Sequence, residues 1–294
     1  MRLAVTGARG FVGQQLVHVA RARGWEVLRL SRGPDGDRRW DPMKEPAPLD
    51  DVDAVIHLAG ESLLGGRWTR AKMNRIRNSR SVGTRNLVLG LRSSPARVLV
   101  AASAVGYYGD RGEEELTEES GPGEDFLSRV CIDGEREALA SGIRTVILRT
   151  GTVLGPGGAL RKMLGPFRLG LGGKLGSGRQ WMSWIHRADL IDLYLHALSH
   201  SDLSGPVLAT SPMPVRNQAF TRLLARTVAR PALLRIPTWA LRLAYGKVAS
   251  VLLSSQKCLP LRAVNSGFRF RYPTLDGALW EAVATLLTRV ERAA

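Results

Sequence analysis

The chain has 294 residues, 44% of them apolar, and its 42 basic against 26 acidic side chains give a formal charge of +16. That length and apolar content bury a sizeable core, no apolar run reaches the roughly 18 residues that cross a bilayer, and Cys131 and Cys258 are too few for a disulfide framework. Of the basic residues 36 are arginine, spread over the whole length without a basic tail. The charge therefore reads as a compositional bias, and neither a specific nucleic-acid partner nor a membrane partner is expected.

The five histidines show no ligand spacing, so no metal site is expected. The first residues lead straight into a strand pattern, and two lone cysteines suit a reducing compartment; a cytoplasmic location is the expectation.

Arg2–Thr6 is an apolar run of the buried-strand type, and Gly7, Gly10 and Gly13 follow at three-residue intervals before a helix expected from near Phe11. Glycines there let the backbone turn tightly beneath a dinucleotide diphosphate, while helix N–H groups around Phe11 and Val12 face its charge. The next strand, Glu26–Leu30, ends in Ser31 and Arg32. A chain selective for NAD places a carboxylate here for the ribose hydroxyls, whereas a basic residue pairs with the 2′-phosphate of NADP. Arg32 has the planar, permanently charged fork that suits a phosphate. Ser31 adds a hydroxyl, Arg9 a second positive charge, and no carboxylate intervenes before Asp35. NADP(H) is the cofactor expected.

A polar stretch over 33–48 precedes a third strand, 53–57, which leads into Leu58, Ala59, Gly60 and Glu61. A helix is expected over about 69–91, then strands at 97–101 and 144–148. Strands alternating with helices predict an α/β fold, a Rossmann-type doubly wound parallel sheet. Ligands of such sheets bind at the carboxyl ends of the strands, where Gly7, Ser31, Leu58–Glu61, Ser103 and Thr150–Gly151 all fall. Beyond Gly155 come a glycine-rich loop at 170–178, a helix at 187–198 and a strand at 206–210. A helix at 217–228, further helical stretches to 254, a strand at 268–272 and a last helix at 274–290 complete the chain. Residues 1–210 are expected to form the NADP-binding Rossmann domain, with 156–182 contributing to a substrate lobe. Residues 211–294 form a small C-terminal lobe over the cofactor groove.

Several motifs coincide with one superfamily. Thr6-Gly7 with Gly10 and Gly13, His57–Gly60, Ser103 ahead of Tyr107-Tyr108-Gly109, and the stretch Arg149–Gly157 resemble an extended short-chain dehydrogenase/reductase. Ala59–Glu61, Ser79–Thr84, Gly109–Gly112, Pro166–Gly173, Gly176–His186 and Gly267–Pro273 resemble its atypical epimerase-like branch, over essentially the whole chain. The resemblance implies a Rossmann fold, bound NADP, a C-terminal segment peculiar to the branch, and cofactor contacts from Arg80 and Glu61.

Members of the superfamily usually exchange the substrate proton through a Ser or Thr and a Tyr, with a Lys four residues after the Tyr lowering its pKa. Ser103 stands where the Ser is expected and is the catalytic candidate, either orienting a substrate or capping its strand. The segment Asp125–Glu135, where Tyr and Lys should stand, contains neither. Tyr107 or Tyr108 could reach the nicotinamide side or shape the pocket wall. Cys131 could lie near the site or be a small core group, and His57 belongs to its strand end. His186 is expected to position the glycine-rich loop, and Trp181 and Trp184 to line an apolar pocket or the core. Two functional readings stay open: an NADP(H)-binding oxidoreductase or epimerase-like enzyme acting on an unknown small substrate, and a catalytically silent NADP(H) sensor or scaffold. The sequence does not set the oligomeric state.

Overall fold

A strand whose successive side chains point to opposite faces reads as a continuous apolar run only when both faces are covered. That condition is met by the inner strands of the central sheet of the computed structural model, which describes residues 1–63 and 66–291. Five strands follow in chain order at Arg2–Thr6 (β1), Glu26–Ser31 (β2), Arg38–Arg39 (β3), Ala54–His57 (β4) and Val98–Ala104 (β5). Two more are Arg144–Thr150 and Gly205–Ala209. All pair in parallel, in the order 205–209, 144–150, β5, β4, β1, β2, β3. Connections run outward in opposite directions from β1, so the crevice beyond its carboxyl end, between β1 and β4, is the switch point where such sheets take ligands.

The two faces separate residue by residue. Leu3, Val5, Ala54, Ile56, Val98 and Val100 pack with Leu16, Val17 and Ala20 of helix α1 (Gly13–Ala22) and with Leu190–Leu198 of the helix Arg187–Ser199. Ala4, Val55, Leu99 and Ile147 point the other way, onto Leu87, Val88 and Leu91 of helix α2 (Arg70–Leu91) and Ala138 of helix α3 (Phe126–Leu139). Thr69 caps α2 by accepting the Lys72 N–H, and Asp125 caps α3 by accepting that of Ser128, as short oxygen-bearing side chains do at helix starts.

A second apolar cluster forms the lobe. Leu154, Leu160, Leu164, Phe167 and Trp184 pack with Phe220 and Leu224 of the helix Asn217–Thr227 and with Leu275–Leu286 of the last helix, Leu275–Glu291. The lobe is tied to the sheet as well: Ala263 and Phe268 join the sheet's own core, and buried Asp189 accepts the N–H groups of Arg271 and Tyr272. Those two bonds explain why Phe268–Tyr272, expected as a strand, is none. Two of its backbone donors go to that carboxylate and the Phe268 N–H to Ala263 O, and Phe268 and Phe270 stack edge-on to each other beside His196. Two smaller differences occur at the other end. The polar stretch 33–48 contains β3, and the first helix starts at Gly13 because Phe11 and Val12 stay in the turn. No described helix is long and apolar enough to cross a membrane.

Leu279 is fully buried between the lobe's helices. Leu279→Ala should cost about 2–5 kcal/mol in one cooperative urea transition shared by lobe and sheet; two separate transitions would show that the lobe unfolds alone.

Candidate functional site

The first turn is closed by backbone alone. Gly7 adopts φ +67°, and a Cβ there would lie 2.7 Å from the carbonyl carbon of Leu58. A Cβ on Gly13 would lie 2.3 Å from the oxygen of Gly7. Only hydrogen fits at either place. The Gly10 N–H donates to Gly7 O at 2.9 Å, and the first helical bond runs from Gln14 N to Gly10 O. Phe11, Val12 and Gly13 thus present N–H groups ahead of the helical ladder, and α1 has no acidic residue in its first turn and no side-chain cap. A dinucleotide diphosphate fits such a cradle. The Phe11 ring closes one side: Cβ atoms on Gly155, Gly157 or Gly158 would come within 3.1 Å of it, and the Arg187 guanidinium stands 4.8 Å from its centre.

At the end of β2, Ser31 Oγ accepts the N–H of Gly33 at 3.3 Å, and Arg32 is exposed with no ion pair among the described residues. Its neighbours are committed elsewhere: Arg29 to Asp37, Arg38 to Asp51, and Arg9 to Asp35 at 2.6 Å. The Arg9–Asp35 pair is open to water on both sides, and such a pair is worth at most about 1 kcal/mol. Arg9 is therefore free to turn towards a stronger anion.

Thr6 joins β1 to β4. Its Oγ1 accepts the N–H groups of Leu58 and Ala59 and lies 2.7 Å from His57 Nδ1. His57 Nε2 in turn lies 3.2 Å from Thr84 Oγ1 on α2. His57 is thus a buried structural tie at its strand end, and burial together with the Arg80 charge lowers its pKa to about 4. Beyond it, Glu61 accepts from Lys72 at 2.6 Å, which holds its carboxyl below the usual range. Arg80 donates to the backbone oxygens of Glu61 and Ile76, and its guanidinium lies beneath Gly60. Arg80 and Glu61 hold the loop 58–61 in shape beside the crevice.

Ser103 sits half-exposed at the carboxyl end of β5, next to exposed Ala102. Its hydroxyl donates to Glu135 Oε1 at 2.6 Å. Glu135 is buried on α3, gripped by Arg149 through Nε at 3.1 Å and Nη2 at 2.8 Å. Burial works against the Arg149 charge, but Glu135 outweighs it and holds the guanidinium's pKa above its usual value. Arg149 also donates to Tyr108 Oη and lies flat on the Tyr107 ring, 3.4 Å from its centre. Cys131 and Glu135 stand four residues apart on one face of α3, the spacing of the Tyr and Lys that the superfamily uses. The electrostatics are reversed: burial first, then the Glu135 carboxylate, push the Cys131 thiol up to about 11, so it stays protonated at neutral pH.

The structure thus brings Gly7, Gly10, Phe11, Val12, Gly13, Leu58 and Ala59 together at the switch point, with Ser31 and Arg32 on one side and Ser103 on the other. Glu135 and Arg149 were not singled out as functional in the sequence; the Cys131-x-x-x-Glu135 spacing was the available signal. Tyr108 is fully buried, its hydroxyl donating to Thr117 O, and burial raises its pKa. His186 does not hold the glycine-rich loop. It caps the helix Arg187–Ser199 and lies 2.7 Å from Glu281 on the last helix. Trp184 is core, whereas half-buried Trp181 donates to Glu113. No group of metal-binding side chains occurs among the described residues.

The chain belongs to the NAD dependent epimerase/dehydratase family, whose model matches residues 3–208. A domain of unknown function, DUF1731, matches residues 236–282. Epimerase family protein Mb2239 of Mycobacterium bovis is 39% identical over 288 residues, covering 94% of this chain and 96% of its own. Epimerase family protein YfhF of Bacillus subtilis is 37% identical, covering 97% and 98%. The crystal structure of human epimerase family protein SDR39U1 (isoform 2) with NADPH superimposes with a TM-score of 0.90 at 33% identity, covering 97% of this chain and all of that one.

An unfolded histidine titrates near 6.5, so between about pH 6.5 and pH 4 the unfolded chain takes up a proton that native His57 refuses. Stability from this group is complete above that window and is lost as the pH falls through it. Urea denaturation should show His57→Gln losing about 2 kcal/mol less than the unmutated chain between pH 7 and pH 5. Equal losses would mean that His57 is not held neutral.

Proposed function

We propose that this chain is a cytoplasmic NADP(H)-dependent oxidoreductase or epimerase-like enzyme that acts on a small substrate and moves the substrate proton through Ser103 and Glu135 rather than through a Tyr–Lys pair. The observation that carries the reading is the Ser103–Glu135 hydrogen bond at the carboxyl end of β5, in the same crevice as the Gly7–Gly13 cradle. In this reading the diphosphate is held by the turn from Gly7 to Gly13. Ser31, Arg32 and Arg9 take the 2′-phosphate. Leu58, Ala59, Gly60, Glu61 and Arg80 form the wall along which the cofactor lies. Residues 156–182 and 211–294 make the lobe that closes over the substrate.

Bound nicotinamide would supply hydride exchange with a substrate carbon. The chain's own part is the proton. In the oxidising direction the substrate hydroxyl gives its proton to Ser103 Oγ, whose own proton passes to Glu135 Oε1; reduction reverses both transfers. Arg149 stays charged and keeps Glu135 oriented, and the Tyr107 ring shields the guanidinium from water. Ser103 is the group that touches substrate, and Glu135 acts through it. Absence of the Tyr and Lys favours the second reading, a silent NADP(H) sensor, and one set of measurements separates the two.

Nicotinamide fluorescence titrations should show preference for NADPH over NADH, and Arg32→Ala should cut that preference about ten- to hundredfold by removing a charge-assisted phosphate partner. Undiminished discrimination would reassign the 2′-phosphate site. In a screen of carbonyl and sugar-nucleotide substrates, Ser103→Ala and Glu135→Gln should each lower kcat by about 10²–10⁴ while leaving the NADPH dissociation constant unchanged. NADPH binding with no turnover of any substrate would favour the sensor.

A further inference from the structure

The basic excess is unevenly distributed. Residues 203–275 hold nine arginines and two lysines and no acidic residue, and 138–188 are acid-free as well. A compositional taste for arginine does not explain the loss of every Asp and Glu from these stretches. The same segments carry the most exposed large apolar side chains described: Leu169, Leu233, Trp239 and Leu243 are between 70% and 89% exposed, and Leu171, Leu234 and Tyr245 about half.

Parts of these segments are joined in space. Arg168 and Leu169 line a shallow groove with Val228 and Arg230. The strand Gly173–Leu175, just after Leu171, pairs in parallel with Leu234–Ile236, so Leu234 lies opposite Gly173. Pro237 continues directly into the helix Thr238–Tyr245, which turns Leu241 inward and leaves Trp239, Arg242 and Leu243 outside. Arg168, Arg230 and Arg242 are exposed and have no ion pair among the described residues. Other arginines are neutralised, as at Arg77–Asp133 and Arg85–Glu137 between α2 and α3, and at Arg216–Glu113 and Arg262–Glu119, whose arginines lie within the acid-free stretch.

We propose that this face of the lobe docks on an anionic lipid bilayer. The leucines stand out singly from two loops and a strand edge around one short helix, which suits insertion into a deformable medium rather than into a shaped pocket. Trp239 and Tyr245 among unpaired arginines match the mixture of amphipathic rings and basic side chains that settles at a headgroup boundary. A second copy of the chain would set one excess of basic charge against another and be repelled. Nucleic acid would leave the leucines in water.

The test is flotation of the full NADPH-loaded chain with vesicles of phosphatidylglycerol and, separately, of phosphatidylcholine. The chain should float with phosphatidylglycerol alone and be released by salt. Trp239→Ser with Leu243→Ser, and Arg230→Glu with Arg242→Glu, should each weaken that binding about tenfold or more. Arg92→Glu with Arg97→Glu, in the turn ahead of β5, should leave it unchanged, and all three variants should keep the unmutated melting temperature because every altered side chain is exposed. Failure to bind phosphatidylglycerol, or binding that the Trp239/Leu243 variant retains in full, would overturn the proposal. So would a dimer that the same variant dissociates, which would assign the face to self-association, or tighter retention of this face by nucleic acid than by vesicles.

Discussion

The close approach of β1's last turn to the backbone of Leu58 is the constraint on which the site depends. A Cβ on Gly7 would strike the Leu58 carbonyl, and one on Gly13 would strike Gly7. Because nothing but hydrogen fits, the ends of β1, α1 and β4 come close enough for Thr6 to bond Leu58 and Ala59 and for His57 to reach α2. The result is a crevice whose floor is backbone and whose N–H groups are fixed by the fold. Ser31 and Arg32 on one hand and Ser103 on the other then stand at opposite ends because they belong to strands on opposite sides of β1.

In the reading proposed here, the chemistry beside Ser103 follows from one reversal of charge. A Lys four residues after a Tyr stabilises a phenolate; a Glu four residues after a Cys stabilises a neutral thiol instead. Burial first, and Glu135 with it, remove Cys131 as an anionic base, and the Glu135 carboxylate is held by Arg149, which rests on the Tyr107 ring. A buried pair of this kind is a poor source of stability unless its remaining hydrogen bonds are met. Here they are met: Ser103, Tyr108 and the Glu118 carbonyl take the rest. Ser103 and Tyr107 are the half-exposed members of the cluster, whereas Tyr108, Cys131, Glu135 and Arg149 are buried.

Much of this was legible in the chain before any coordinates. The apolar runs ending in Gly7, Ser31 and His57 gave the parallel sheet, because a strand buried on both faces needs no alternation. Ser103 could be placed from its motif. What could not be read depends on distant pairings. Phe268–Tyr272 has an alternating pattern, yet two of its backbone donors are taken by Asp189, some eighty residues earlier, and no local rule announces that. Arg38–Arg39 is too short and too polar to declare itself a strand without Leu30 and Ser31 beside it. Glu135 carries no local sign of its role, because its partner Arg149 lies on a neighbouring strand. His186 was taken for a loop anchor because Glu281, its partner, lies ninety-five residues away.

The central claim is that both phosphate groups of a phosphorylated dinucleotide rest on this crevice, the diphosphate over Gly7–Gly13 and the 2′-phosphate at Ser31 and Arg32. Phosphorus-31 magnetic resonance of NADPH titrated with the protein reads both groups at once. The account predicts that the diphosphate and 2′-phosphate signals shift and broaden together at the same protein concentration. A 2′-phosphate signal that stays sharp and unshifted while the diphosphate broadens would contradict the assignment of Arg32, and two unchanged signals would contradict the site altogether.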